Sequence, residues 1–194
     1  MRLVRACAVA LLGLMLATTA GSQTVLDTLF DKLRTATDPV AVQALEHGIW
    51  EQWTMVPNAD HRRLMLQGIA EMQQQELQSA VATFTRLIEK APDLSEAWNK
   101  RATVYWLLGN FPASLNDICE TVKREPRHFG AYSGLGMIRA QMGEHARAAA
   151  AFELAKKWNP HIVGIDEEIE RQKAEAGTEA PDDPLGCGQR TAGR

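Results

Sequence analysis

The chain has 194 residues, 45% of them hydrophobic, and carries 21 basic against 24 acidic side chains for a formal net charge of −3. That balance excludes the clustered positive charge on which non-specific nucleic-acid binding depends. Beyond the amino terminus no run approaches the roughly 20 consecutive apolar residues that a membrane-spanning helix needs, and the length suits one domain.

Arg2 and Arg5 precede the apolar stretch Ala6–Ala17, which gives way to Thr18, Thr19, Ala20, Gly21 and Ser22. A positive start, a short apolar run and small residues after it describe a secretory signal peptide over 1–22, with cleavage after Ala20 or Ser22. The alternative is an uncleaved inner-membrane anchor through residues 6–20, for which the apolar run is short. Cys7 precedes most of that run, the wrong place for a lipid-modified cysteine. The expected location is therefore the periplasm or the exterior, with no membrane span after cleavage. Export removes Arg2 and Arg5 and no acid, so it deepens the negative charge. Two cysteines then remain, Cys119 and Cys187. A bridge between them suits an oxidising compartment; a buried Cys119 with a free tail thiol is the commoner arrangement.

Residues 23–60 read as a helical hairpin. Val25, Leu26, Leu29, Phe30 and Leu33 form one stripe; Asp38-Pro39 supplies a cap and a first-turn proline; and Val42, Leu45, Ile49, Trp50 and Trp53 come next at helical spacing. Aromatic stripes at this spacing usually pack inward. The hairpin is expected to act as a degenerate repeat or cap over the apolar end of the remaining helices.

From residue 61 the chain repeats. Pro92, Pro126 and Pro160 stand 34 residues apart, and at matching offsets come Leu64, Trp98 and Tyr132, then Gly68, Ala102 and Gly136, then Ala80, Ser114 and Ala148, then Phe84, Ile118 and Phe152. Small residues let two helices approach, and large ones fill the space between units. Gly109 and Gly143 suit the left-handed residue that ends a helix, and Pro112 suits the first turn of the next. Such a unit buries its face only by stacking on its neighbours.

This pattern resembles the tetratricopeptide repeat family, an all-α superhelix of helix-turn-helix units. The resemblance implies units at 61–94, 95–128 and 129–162. The third fits best, through Tyr132, Leu135-Gly136, Gly143, Ala148, Phe152 and Pro160. The first fits least, with Gln67 and Glu71 where apolar or aromatic residues are usual, and Arg101, Arg139, Leu87 and Thr121 also depart from the pattern. Residues 163–176, with Ile165 and Ile169 on one side and many acids on the other, read as a capping helix. Residues 177–194 have almost no apolar content and are expected to be a disordered tail.

Nothing points to catalysis, a cofactor or a metal. His47, His61, His128, His145 and His161 share no ligand spacing, and no phosphate loop or nucleophile elbow is present. Glu167, Glu168 and Glu170 read as a solvated face. What the resemblance implies instead is a concave groove lined by the first helices. Carried over by offset, it comprises Arg62, Met65, Leu66, Ile69, Met72 and Gln73, then Glu96, Asn99, Lys100, Thr103 and Trp106, then Ser133, Met137 and Gln141. Asn99-Lys100 is the only pair suggestive of a clamp on a peptide's terminal carboxylate, so that mode is disfavoured. Methionines and Trp106 within a polar margin suit an apolar peptide or amphipathic helix, so a scaffold binding a protein or peptide partner is the expected function. A self-assembling structural protein and an accessory subunit of an envelope enzyme are the alternatives.

Overall fold

The computed structural model describes residues 20–178, 183 and 185–188. Residues 1–19, which carry nearly all of the expected signal segment, lie outside them. Among the described residues there are nine α-helices and no strand: α1 (Ala20–Thr35), α2 (Pro39–Thr54), α3 (Ala59–Gln73), α4 (Leu77–Lys90), α5 (Ser95–Leu107), α6 (Phe111–Arg124), α7 (Phe129–Gln141), α8 (His145–Trp158) and α9 (Ile165–Ala176). Helices α3/α4, α5/α6 and α7/α8 are three hairpins stacked in succession, an all-α repeat superhelix.

The packing obeys the small and large positions. A methyl group on Gly68 would stand 2.7 Å from the Phe84 ring, and one on Gly136 would stand 2.6 Å from Phe152. Only glycine fits beneath a phenyl ring at that separation. In the second unit both members change: Ala102 replaces the glycine and Ile118 the phenylalanine, and both are buried in one cluster with Tyr132, Leu135 and Phe152. Ser114 Oγ donates to the Ala102 carbonyl at 2.8 Å, so its hydroxyl is satisfied inside the stack. The aromatics that open the second and third units reach back in the same way, Trp98 Nε1 to the Pro92 carbonyl at 2.9 Å and Tyr132 Oη to that of Pro126 at 3.2 Å.

The residues that depart from the repeat pattern have local partners. Arg101 holds Asp117 through two hydrogen bonds of 2.7 and 2.8 Å and donates to Thr85 at 2.9 Å. At the same offsets the first unit has Gln67 near Thr83, and the third has the apolar pair Leu135 and Ala151. Polarity at one position is thus matched by polarity on the facing helix, which avoids an unpaired buried group. Gly109 and Gly143 take φ of 72° and 76° after α5 and α7. The equivalent residue of the first unit is Gln75, at φ 61°.

Two expectations are corrected. The hairpin α1–α2 forms, with Asp38 accepting from the Ala41 amide at 3.0 Å as its cap. It does not extend the stack or cover its first-unit end. Leu26, Phe30, Leu33, Ile49 and Trp53 are instead buried with Phe129, and Trp50, Trp158 and Ile162 pack around them, so the hairpin folds back onto the third unit. Polar contacts hold its rim: Arg127 to Asp27, Asn159 Nδ2 to Glu46 at 2.6 Å, and His161 Nε2 to the Leu33 carbonyl at 2.7 Å. The aromatic stripe had to be buried, and Phe129, Trp158 and Ile162 supply the apolar surface that buries it.

The second correction concerns the tail, expected to dock nowhere. Cys187 is bonded to Cys119 of α6, which settles the choice between bridge and free thiols. Asp183 accepts from the amides of Leu185, Gly186 and Gly188, folding a small loop whose Leu185 packs on the main core. Arg139, which also pairs with Glu144 at 2.7 Å, donates to the carbonyls of Leu185 and Gly186. Its departure from the repeat pattern therefore serves the tail.

Candidate partner-binding groove

The first helices α3, α5 and α7 bring only part of the expected groove set to an open surface. Met65 is 1% exposed and belongs to the first unit's core, against which Ile69 and Met72 are also packed. Arg62 is exposed and donates to the Val56 carbonyl at 3.2 Å, at the entrance to α3. Ser133 Oγ donates to the Phe129 carbonyl and borders a neighbouring hollow shared with Met137, Ile162 and Val163.

Asn99 and Lys100 are spent internally. Glu96 is fully buried, and His128 lies 2.9 Å away through Nε2 while its Nδ1 accepts from the Ala131 amide at 3.1 Å. That arrangement makes Nε2 the donor to Glu96 and Nδ1 the cap of α7. Asn99 Nδ2 donates to the same carboxylate at 3.0 Å. Lys100 Nζ stands 2.9 Å from the other oxygen, an ionic contact off the hydrogen-bonding line, and lies over the Trp50 ring. Burial pushes the Glu96 carboxyl upward, yet the hydrogen bond from His128 and the charge of Lys100 hold it below its ordinary value. Trp53 stacks on His128 with ring centroids 4.0 Å apart and planes 9° from parallel. The cluster is thus roofed by the hairpin.

Beyond it the groove opens. Asn99, Thr103, Trp106, Gly130, Gly134 and Met137 line a hollow of about 150 Å³ floored by Ala102, Ser114, Ile118, Ala131 and Ile138. Trp106 is 39% exposed and Met137 49%, so neither is core filler. Four of the fourteen expected groove residues meet here: Asn99, Thr103, Trp106 and Met137. The reading of the sequence missed Gly130 and Gly134, although they stand 34 residues after Glu96 and Lys100 and were open to the same offset argument. Among the described residues no group of histidine, cysteine and carboxylate side chains is placed to hold a metal, and no helix is long and apolar enough to cross a membrane.

A family model described as tetratricopeptide repeat matches residues 65–122 and 108–161, together half of the chain. The chain belongs to the tetratricopeptide repeat family. A TPR repeat-containing protein of Rhizobium etli is 31% identical over 128 residues, which is 66% of this chain and 63% of that protein. The chain thus accounts for less than two thirds of that relative's length. Among solved structures, the Sgt2 TPR domain of Aspergillus fumigatus superposes with a TM-score of 0.57 at 23% identity, over 66% of this chain and 89% of that one. The first TPR of Spaghetti, bound to an HSP90 peptide, gives 0.56 at 19% identity, over 59% and 90%. At such identities the likeness concerns the fold.

Proposed function

We propose that this protein is an exported TPR scaffold that binds a protein partner through the open part of its groove and carries out no chemical step of its own. The observation that carries the reading is the hollow walled by Trp106 and Met137, a large aromatic and an adaptable thioether exposed side by side on stacked, preorganised helices. That the Spaghetti TPR was solved with an HSP90 peptide supports peptide or protein binding as the use of such a groove. Export is supported by Arg2, Arg5 and the apolar run Ala6–Ala17, and by the pairing of the two remaining cysteines, which persists in oxidising compartments. The protein then works in the periplasm or outside the cell, starting near Gly21 or Gln23.

Affinity capture from an envelope extract tests this. Trp106→Ala should weaken capture of the specific partner by about 2 kcal/mol or more, roughly 30-fold, while the melting temperature moves little. Unchanged capture, or a strongly destabilised variant, removes Trp106 from the site. Amino-terminal sequencing of the purified protein checks export, and an intact Met1 in the membrane fraction would contradict it.

A further inference from the structure

The groove between α5 and α7 is divided between an occupied half and an open half. Near their first turns it holds a helix of the chain itself: α2 lays Trp50 on Gly130, where a methyl group would stand 2.6 Å from the indole, and Trp53 on His128. Gly130 and Asn99 also border the hollow that continues toward Trp106. The open half therefore begins where Trp50 ends, on the same two helices and the same small-residue floor.

Resting on the groove reading above, we infer that the open half takes an amphipathic α-helix of the partner, anchored by one large uncharged apolar side chain in the hollow between Trp106 and Met137. Three observations choose this occupant. The first is charge. No lining residue carries a charge, and the charged residues next to them in sequence are paired: Lys100 with Glu96, which also accepts from Asn99 and His128, Arg101 with Asp117, and Arg139 with Glu144. An acidic peptide or a terminal carboxylate finds no counter-ion there.

The second is hydrogen bonding. Asn99 Nδ2 is given to Glu96, Thr103 Oγ1 donates to the Asn99 carbonyl at 3.0 Å, and Ser114 Oγ donates to the Ala102 carbonyl. An extended peptide needs donors and acceptors for its backbone, whereas a helix satisfies its own. The third is size. About 150 Å³ is well below the ~300–1,000 Å³ typical of small-molecule sites and suits a single side chain. The chain's own α2, an aromatic-bearing helix seated on the adjoining turns, shows that this floor accepts a helix.

A random 15-residue peptide library displayed with free carboxyl termini, panned against the full chain and counter-selected on Gly134→Leu, tests the inference. Gly134 lines the hollow, and a Cβ there would have Ile118 Cδ1 at 3.7 Å, an ordinary contact, so the backbone of α7 admits a side chain at this position; an unchanged melting temperature for Gly134→Leu checks that the variant folds. The expected result is enrichment of apolar residues at i, i+3 or i+4 and i+7 with no preference at the peptide's end. A synthetic, amidated version of the leading sequence should then gain helicity on binding and lose roughly 30-fold in affinity to Trp106→Ala and to Gly134→Leu. Enrichment of acidic carboxyl termini, or of proline-rich sequences without helical period, overturns the helix while leaving a peptide-binding groove. No enrichment over Gly134→Leu also overturns it, and the Trp106→Ala capture experiment then decides separately whether the groove reading falls as well. A dimer in light scattering that Gly134→Leu dissociates assigns the hollow to a second copy and overturns the inference.

Discussion

The first and third repeat units are built on the same plan and are supported very differently. The third receives the hairpin α1–α2 on Phe129, Trp158 and Ile162, helix α9 through Ile165 and Ile169, and the tail loop through Arg139 and Leu185. The first unit is packed by α5 and by Val56 from the link between α2 and α3: Leu66 is 60% exposed, and Gln75 holds a left-handed turn that glycine fills in the other two units. Repeats gain stability from their neighbours, so every added segment raises the stability of the unit it touches. Segments from both ends of the described chain converge on the third unit and on the adjoining second unit, through Cys119 and through Trp50 beside Lys100, and leave the first-unit end of the stack plainer.

The sharpest way to break this comparison is to remove the hairpin's anchor. Trp53→Ala, at a residue 5% exposed, should cost about 3 to 5 kcal/mol in urea unfolding and speed amide exchange in α7 and α8. Leu64→Ala, at a half-buried residue of the first unit, should cost about 2 kcal/mol and leave α7 and α8 protected. Equal exchange in both variants would mean that the hairpin supports the whole stack rather than its third unit.

Next in size is the tail. The bridge closes a 68-residue separation, for which chain entropy alone suggests about 4 kcal/mol, with typical measured effects of about 2–4 kcal/mol. Cys187→Ser should lower the melting temperature by several degrees and open the segment around Asp183 to proteolysis. The same melting temperature for Cys187→Ser and the parent would show that Arg139 and Leu185 hold the loop without the bond.

Acid tests the second unit, between the two. Glu96 has a folded-state value below its ordinary 4.5, because the His128 hydrogen bond and Lys100 outweigh burial. Its contribution is therefore full above that ordinary value and is lost as pH falls through the lower folded-state value. Asp117 acts in the opposite sense: burial lifts its carboxyl above the ordinary 3.8 despite Arg101, so protonation near that pH favours the folded state. Melting temperature against pH should therefore flatten below pH 4.5 in Glu96→Gln and steepen in Asp117→Asn. Identical slopes in both would show that neither group governs acid stability.

The smallest effect is a gain. Gln75→Gly should stabilise the protein by about 1 kcal/mol or less, since a left-handed conformation penalises a side chain and glycine lacks the penalty. A loss of stability would show that the Gln75 side chain contributes more than its backbone costs.

The repeat period, the small-over-large pairs Gly68 with Phe84 and Gly136 with Phe152, and the turns at Gly109 and Gly143 were all legible in the sequence. Each is a steric requirement met within about twenty residues and stated again 34 residues later. The polar departures were visible as departures, but Arg101 gained meaning only when α6 brought Asp117 against it. Part of the open hollow was likewise readable: the offsets carried over from the family resemblance pick out Trp106 and Met137, which line it. They could not show that Met65 turns into the core, or that Asn99 and Lys100 are consumed by Glu96, because the acceptor network is completed by His128 from the next unit and roofed by Trp53 from the hairpin. An apolar stripe such as Leu26, Phe30 and Leu33 states that a face must be buried without naming the surface that buries it, and a cysteine in a polar tail carries no record of its partner. Where the hairpin lies, where the tail returns and which part of the groove stays open were decided by the tertiary structure, because each depends on surfaces that exist only after the repeats have stacked.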